Sequence, residues 1–209
     1  MVGGVTPDQL AALPLRERKK TLTRAAIVEA AQRLFEERGF DNVTVAEIAD
    51  AANVSVKTLF VYFRAKEELA FADNQLIEEI IAAMSARKPG TTHAEAVAAE
   101  LAAQARAQGD PAAGLEGFHR GYGRSPAIQS GLLRLWADYE DRVTAFLAAE
   151  AGTGPTPRMR LHAIQLVAIP RTLTSPEVRA LVDGLPPEKA RAALEQWLRK
   201  AARSVTAPG

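Results

Sequence analysis

No cysteine occurs among the 209 residues. That single absence excludes disulfides, thiolate catalysis and cysteine-ligated metals together. Histidine is nearly as scarce: His93, His119 and His162 stand far apart and show no metal-ligand spacing. No metal and no cofactor are therefore expected. An excess of one charge is also lacking. Lys and Arg number 26 against 25 Asp and Glu, a net charge of +1, so any attraction to nucleic acid must be local. No apolar run approaches the roughly 18 residues of a membrane span. The opening MVGGVTPDQLAALPL has no basic segment followed by a long apolar stretch, so no signal peptide is read there. A cytoplasmic chain with no membrane partner is expected. There is no Ser-His-Asp arrangement, no phosphate-cradling Gly loop and no HExxH, so an enzyme is not expected. Alternating Val/Ile patterns are almost missing too, which argues against strands.

What is present is Ala, Leu, Glu, Arg and Gln at helical spacing, punctuated by Gly and Pro. The chain reads as all-α, and an apolar fraction of 47% leaves room for a real core. Residues 1–15 read as a flexible arm. The run RERKKTLTR follows, with Arg16, Arg18, Lys19, Lys20 and Arg24 against the single acid Glu17; such a run either is solvated or tracks phosphates. A first helix is expected from about residue 22 to 38, with Ile27, Ala30, Ala31, Leu34 and Phe35 on its apolar stripe. Gly39 stands where a left-handed C-terminal residue is wanted. TVAE at Thr44–Glu47 is a capping box, and Ile48, Ala49 and Ala52 form the inner face of the helix it opens. Asn53 falls in a turn, where it tolerates the left-handed conformation. Ser55 caps a third helix over about 56–63. Two short helices joined by such a turn form a helix-turn-helix arrangement. A fourth helix is expected to run unbroken from Lys66 to about Arg87, ending before KPGTT.

The third helix has two turns. Val54, Leu59 and Phe63 fit its inner side, which leaves Val56, Lys57, Thr58 and Phe60 toward solvent and Tyr62 at the edge. Exposed apolar side chains beside a Lys call for a partner surface. The DNA major groove admits a helix and offers thymine methyl groups to apolar side chains; phosphates on either side take hydroxyls and Lys.

Here the text IVEAAQRLFEERGFDNVTVAEIADAANVSVKTLFVYFRAKEEL resembles the DNA-binding domain of the TetR family of bacterial repressors. The agreement covers just under a quarter of the chain and runs in order: RGF, the Thr-capped TVAEIA, ANVS, the aromatic-rich third helix and KEEL. The resemblance implies an all-helical homodimer. Its N-terminal three-helix helix-turn-helix domain, 16–66, would bind DNA, and a larger helical body, 67–209, would bind ligand and dimerise. Carried over by position, Thr44 would hold a phosphate. Ser55, Val56, Lys57 and Thr58 would occupy the base-facing start of the recognition helix. Phe60 would stand where the family usually has a Tyr, and Tyr62 and Lys66 would contact phosphate. Departures are Phe60 without a hydroxyl, Val56 and Val61 where polar residues are frequent, Lys57 at a position often small, and Ala65 in place of a Ser or Asn cap. They point to Lys57 on a guanine edge and Val/Phe on thymine methyls.

Beyond residue 70 the agreement is one of style. Helical patterns fall at about 92–108, 111–124, 126–151, 157–173 and 187–204, and TSPEVRALVDGL contains a short further helix. Leu132, Leu135, Trp136, Tyr139, Val143, Phe146 and Leu147 share a stripe, which usually means core. Yet Phe118, Tyr122, Trp136 and Tyr139 are also candidates for the wall of a ligand cavity, with His119, Arg134 or Gln165 as polar fixtures. Pro170 should kink or end its helix. Leu161, Ile164, Leu166, Val167 and Ala168, with Ala193, Leu194, Trp197 and Leu198, are expected at the dimer interface. The function implied is a ligand-responsive repressor that binds a near-palindromic operator on double-stranded DNA as a homodimer and is released by a small-molecule inducer. Two alternatives stay open: an activator or architectural DNA-binding protein without an inducer, and a ligand carrier with a degenerate head.

Overall fold

The computed structural model describes residues 11–72, 75–107, 110, 112 and 125–205. Among the described residues every regular element is helical. The helices are α1 (Leu15–Arg38), α2 (Val45–Ala51), α3 (Val56–Tyr62), α4 (Lys66–Ala70), α5 (Leu76–Ser85), α6 (His93–Ala107), α7 (Pro126–Glu150), α8 (Pro157–Leu173), α9 (Pro176–Val182) and α10 (Pro187–Ser204), with a 3-10 turn at Phe40–Asn42. The chain divides into two compact units. The head comprises Met1–Gln75 and Arg120–Gly131; the body comprises Leu76–His119 and Leu132–Gly209.

In the head, α1 buries Ile27, Val28, Ala30, Ala31 and Phe35. The Phe35 and Phe40 rings meet with centroids 5.0 Å apart. Gly39 makes that return possible. Its φ of 80° and ψ of 149° lie outside the left-handed helical region expected for it, in a region open essentially to glycine alone. Helix α1 also starts earlier than expected, so the basic run Arg16–Arg24 is helical. Of the arm read at 1–15, residues 1–10 lie outside the described residues, while Ala11 and Ala12 are helical. Gly131 serves the head by its lack of a side chain: a Cβ there would stand 2.6 Å from Phe71 Cε2.

The expected unbroken helix from Lys66 to Arg87 is not found. Helix α4 stops at Ala70, and α5 begins at Leu76. Between them Phe71 and Ala72 form a turn. Of the two outcomes expected at Pro170, a kink or an end, the end does not occur: helix α8 passes through it to Leu173.

The body is an apolar cluster that includes Met84, Val97, Leu101, Tyr139, Val143, Leu166, Leu194 and Leu198. The stripe on α7 lies in it, with Trp136, Tyr139, Val143 and Leu147 buried and Leu132, Leu135 and Phe146 packed against it. Ion pairs such as Arg106–Glu195 (2.7 Å) and Arg142–Glu78 (2.9 Å) join helices at its surface; exposed pairs of this kind stabilise little. Arg87 holds the Glu150 carboxyl below its ordinary pKa, assisted by His93.

Candidate nucleic-acid interface

The site is built from local capping. Thr44 precedes α2, where its hydroxyl accepts from Glu47 N–H at 3.2 Å. Its own N–H and O–H both donate to Glu47 Oε2 at 2.7 Å. The reciprocal box satisfies orphan donors at the helix start. Arg38 adds an ion pair to Glu47 at 2.8 Å. Together the Thr44 backbone, the Thr44 hydroxyl and Arg38 hold the Glu47 carboxyl down to about 2. The turn after α2 uses Asn53 at φ 53°, the one positive-φ residue other than glycine among the described residues. Ser55 then caps α3, accepting from Thr58 N–H at 3.0 Å, with the two hydroxyls 2.8 Å apart.

Helix α3 anchors itself through Leu59, which is fully buried, and Phe63 just beyond it. At about 3.6 residues per turn, Lys57 and Val61 fall on the side opposite Leu59, with Phe60 on one flank and Thr58 and Tyr62 on the other. The burial agrees. Val61 is 77% exposed, Phe60 49% and Val56 39%; Lys57 is exposed, and Thr58 and Tyr62 are half-buried. Ser55, Val56, Lys57, Thr58 and Phe60 thus lie on a single short helix and its cap, with Lys57 outermost and Thr58 and Phe60 on opposite flanks. Val61, named above only among the departures from the family pattern, is the most exposed of the large apolar residues on this helix.

Lys66, expected on phosphate, has its ammonium engaged within the head. Its ammonium donates to Phe40 O at 2.9 Å and Val43 O at 3.0 Å, and lies 4.0 Å from the Phe40 ring centroid. Two of its three hydrogens tie the start of α4 to the turn between α1 and α2. At Ala65 no side-chain cap forms; the Glu68 carboxylate instead accepts Arg64 N–H at 2.8 Å. Arg24 is also engaged within the head, donating to Ala72 O at 2.9 Å with its guanidinium over the Phe63 ring. Arg16, Lys19 and Lys20 are exposed.

The residues named for a ligand cavity divide. Phe118, Tyr122 and His119 lie outside the described residues. Trp136 and Tyr139 are buried core, their rings edge-to-face at 5.4 Å. Arg134 is exposed and Gln165 half-buried. A cavity of about 340 Å³ lies between α6 and α10, where Ala98, Ala102 and Leu198 meet Arg106, Glu195 and Arg199. Its described lining mixes alanines and Leu198 with Glu95, Arg106, Glu195, Arg199 and Arg203. The surface expected for dimerisation also divides. Leu166, Val167, Leu194 and Leu198 are buried in the body's own core, while Leu161 and Ile164 are exposed at 58% and 41%.

A helix-turn-helix head joined to a helical body defines the class: a DNA-binding regulator fold. The comparisons agree. The model for "Bacterial regulatory proteins, tetR family" matches residues 27–72. The HTH-type transcriptional regulator TcmR of Streptomyces glaucescens is 30% identical over 145 residues, which are 66% of this chain and 64% of that protein. The match thus spans just under two thirds of that relative's length. Among solved structures, Salmonella enterica GusR has a TM-score of 0.53 at 21% identity, covering 88% of this chain and 94% of that one. The fatty acid degradation regulator FadR of Bacillus halodurans has a TM-score of 0.52 at 21% identity, covering 84% and 94%. Residues 27–72 thus match the DNA-binding domain of the TetR family, and the proteins to which the chain is similar are transcriptional regulators.

Proposed function

We propose that the chain is a ligand-responsive transcriptional repressor. A homodimer binds a near-palindromic operator, each head placing α3 in a major groove, and a small-molecule inducer bound in the body releases the DNA. The observation that carries this reading is the outward face of α3. A seven-residue helix, locked from behind by Leu59 and from its start by Ser55, presents Lys57, Thr58, Phe60 and Val61 away from the core. Such a face suits base edges, while Thr44 and Tyr62 serve phosphates at its borders. Lys66 gives its ammonium to the Phe40 and Val43 carbonyls and serves the fold of the head.

Dimerisation is supported by α8. Leu161, Ile164 and Ala168 lie at i, i+3 and i+7 and are exposed, a stripe that one copy leaves in water. Two heads then read half-sites one helical turn, or a multiple, apart. Release requires the inducer to bind more tightly to a state whose heads no longer match successive grooves; only that differential affinity shifts the equilibrium.

The test has two stages. Genomic fragments retained by the purified chain are sequenced, and compounds that raise its melting temperature are then screened for release of those fragments. The reading expects inverted repeats and at least one compound that does both. Retention of no fragment above background rejects it; retained fragments that no stabilising compound releases reject the inducer.

A further inference from the structure

The outward face of α3 is poor in hydrogen-bonding groups. Among its outermost side chains Lys57 alone carries a charge, and the Thr58 hydroxyl already lies 2.8 Å from Ser55 Oγ. Val56, Phe60 and Val61 offer only carbon, at 39%, 49% and 77% exposure. Three large apolar side chains held in water on a helix of seven residues need a surface to cover them. An exposed cation, Lys57, lies within the patch and another, Arg64, two residues beyond the helix, and the same unit carries the basic run Arg16–Lys20. An anionic polymer with apolar spots complements that pattern better than an apolar protein face.

In the major groove only one base-edge feature is apolar: the thymine C5-methyl group. Resting on the reading of α3 as the groove-reading helix, we propose that Val56, Phe60 and Val61 recognise thymine methyl groups. Val61 sets the preference at the step beside the base met by Lys57. Val61 lies one turn beyond Lys57 on the outermost line of the helix, so the two side chains reach neighbouring base pairs. A purine at the Val61 step would leave its N7 acceptor facing carbon, and an acceptor stripped of water without a partner is disfavoured. A cytosine would leave the methyl's place empty. Selectivity at these steps therefore comes from shape and dehydration.

Deoxyuridine in place of thymidine removes the methyl and nothing else. Half-sites are selected from a random-sequence duplex pool with the full chain, and each thymine is then replaced singly by deoxyuridine. The expected result is one to three positions per half-site where the replacement weakens binding roughly fourfold, the size set by one buried methyl. In Val61→Ala the penalty at one of these positions disappears and the others persist. Its thermal unfolding stays as in the parent, because the side chain is largely in solvent. Full tolerance of deoxyuridine at every position, on duplexes that still bind, overturns the methyl assignment and leaves the groove-reading role standing. A Val61→Ala loss equal on thymidine and deoxyuridine duplexes overturns the role given to Val61. Selection of no duplex at all removes the proposed function, and this inference with it.

Discussion

In the head, short helices are fastened by individual polar contacts: the Thr44–Glu47–Arg38 box, the Ser55 cap and the Lys66 ammonium on two carbonyls. In the body, longer helices are held by a continuous apolar cluster, and the polar contacts decorate its surface. The difference follows from helix length. Seven-residue helices are below the length that is stable in water by itself, so α2 and α3 depend on caps and on a few buried anchors. Helices of 15 to 25 residues such as α6 and α7 are capped too, α6 by the Thr92–Glu95 box, but they bury enough side chains that caps are a smaller part of what holds them. The head consequently spends its outward residues on a face without a partner of its own, whereas the body keeps most of its large residues inside.

Substitutions can break or sharpen this contrast. The largest effect is expected from an anchor of the head: Phe35→Ala removes a fully buried ring and should cost about 3–5 kcal/mol in a urea titration. Lys66→Ala comes next. It strips hydrogen bonds from the Phe40 and Val43 carbonyls and should cost roughly 1–3 kcal/mol. DNA affinity should fall with stability, and the salt dependence of binding should change little. A large fall in that salt dependence with unchanged stability would return Lys66 to the phosphate role. Gly39→Ala should cost about 1–3 kcal/mol, because φ 80° with ψ 149° is strained for any residue with a Cβ.

Smaller effects test the caps. Glu47 has a carboxyl held to about 2 in the folded chain against an ordinary 4.5. Its contribution to stability is complete above 4.5 and is lost as pH falls through 2, since protonation removes the acceptor for Thr44 and the partner of Arg38. Glu47→Gln should therefore show a shallower loss of stability over that window than the parent, measured by thermal melts at stepped pH. The smallest effect on stability belongs to the basic start of α1. Replacing Arg16, Lys19 and Lys20 by Ala should leave the melt within about 0.5 kcal/mol. The salt slope of DNA binding should fall by about 0.9 for each phosphate that is no longer neutralised.

How much of this was legible depends on whether the determining contacts were local. The Thr44–Glu47 box, the Ser55 cap and the left-handed Asn53 involve residues three apart or fewer, and each could be read from residue type and spacing. The Lys66 contacts span 23 and 26 residues, and a Lys opening an acidic helix gives no sign of them. The break between α4 and α5 was missed because no Gly or Pro marks it. In the body, apolar stripes at helical spacing serve a core, a cavity wall or a subunit interface equally well. Tyr139 and Leu166 proved to be core, while Leu161 and Ile164 face outward, and no local pattern separates those cases. Val61 was legible in part: it follows Lys57 by one turn and stood out as an apolar residue where the family often has a polar one.

Everything turns on the outward side of α3 meeting duplex DNA. Amide and side-chain chemical-shift mapping of the labelled full chain, titrated with a duplex it has selected, tests this most directly. The predicted result is perturbation centred on Ser55–Tyr62, extending to Thr44 and the start of α1. Perturbation centred on the exposed side of α8 or on α10, with Lys57, Phe60 and Val61 unmoved, would contradict it.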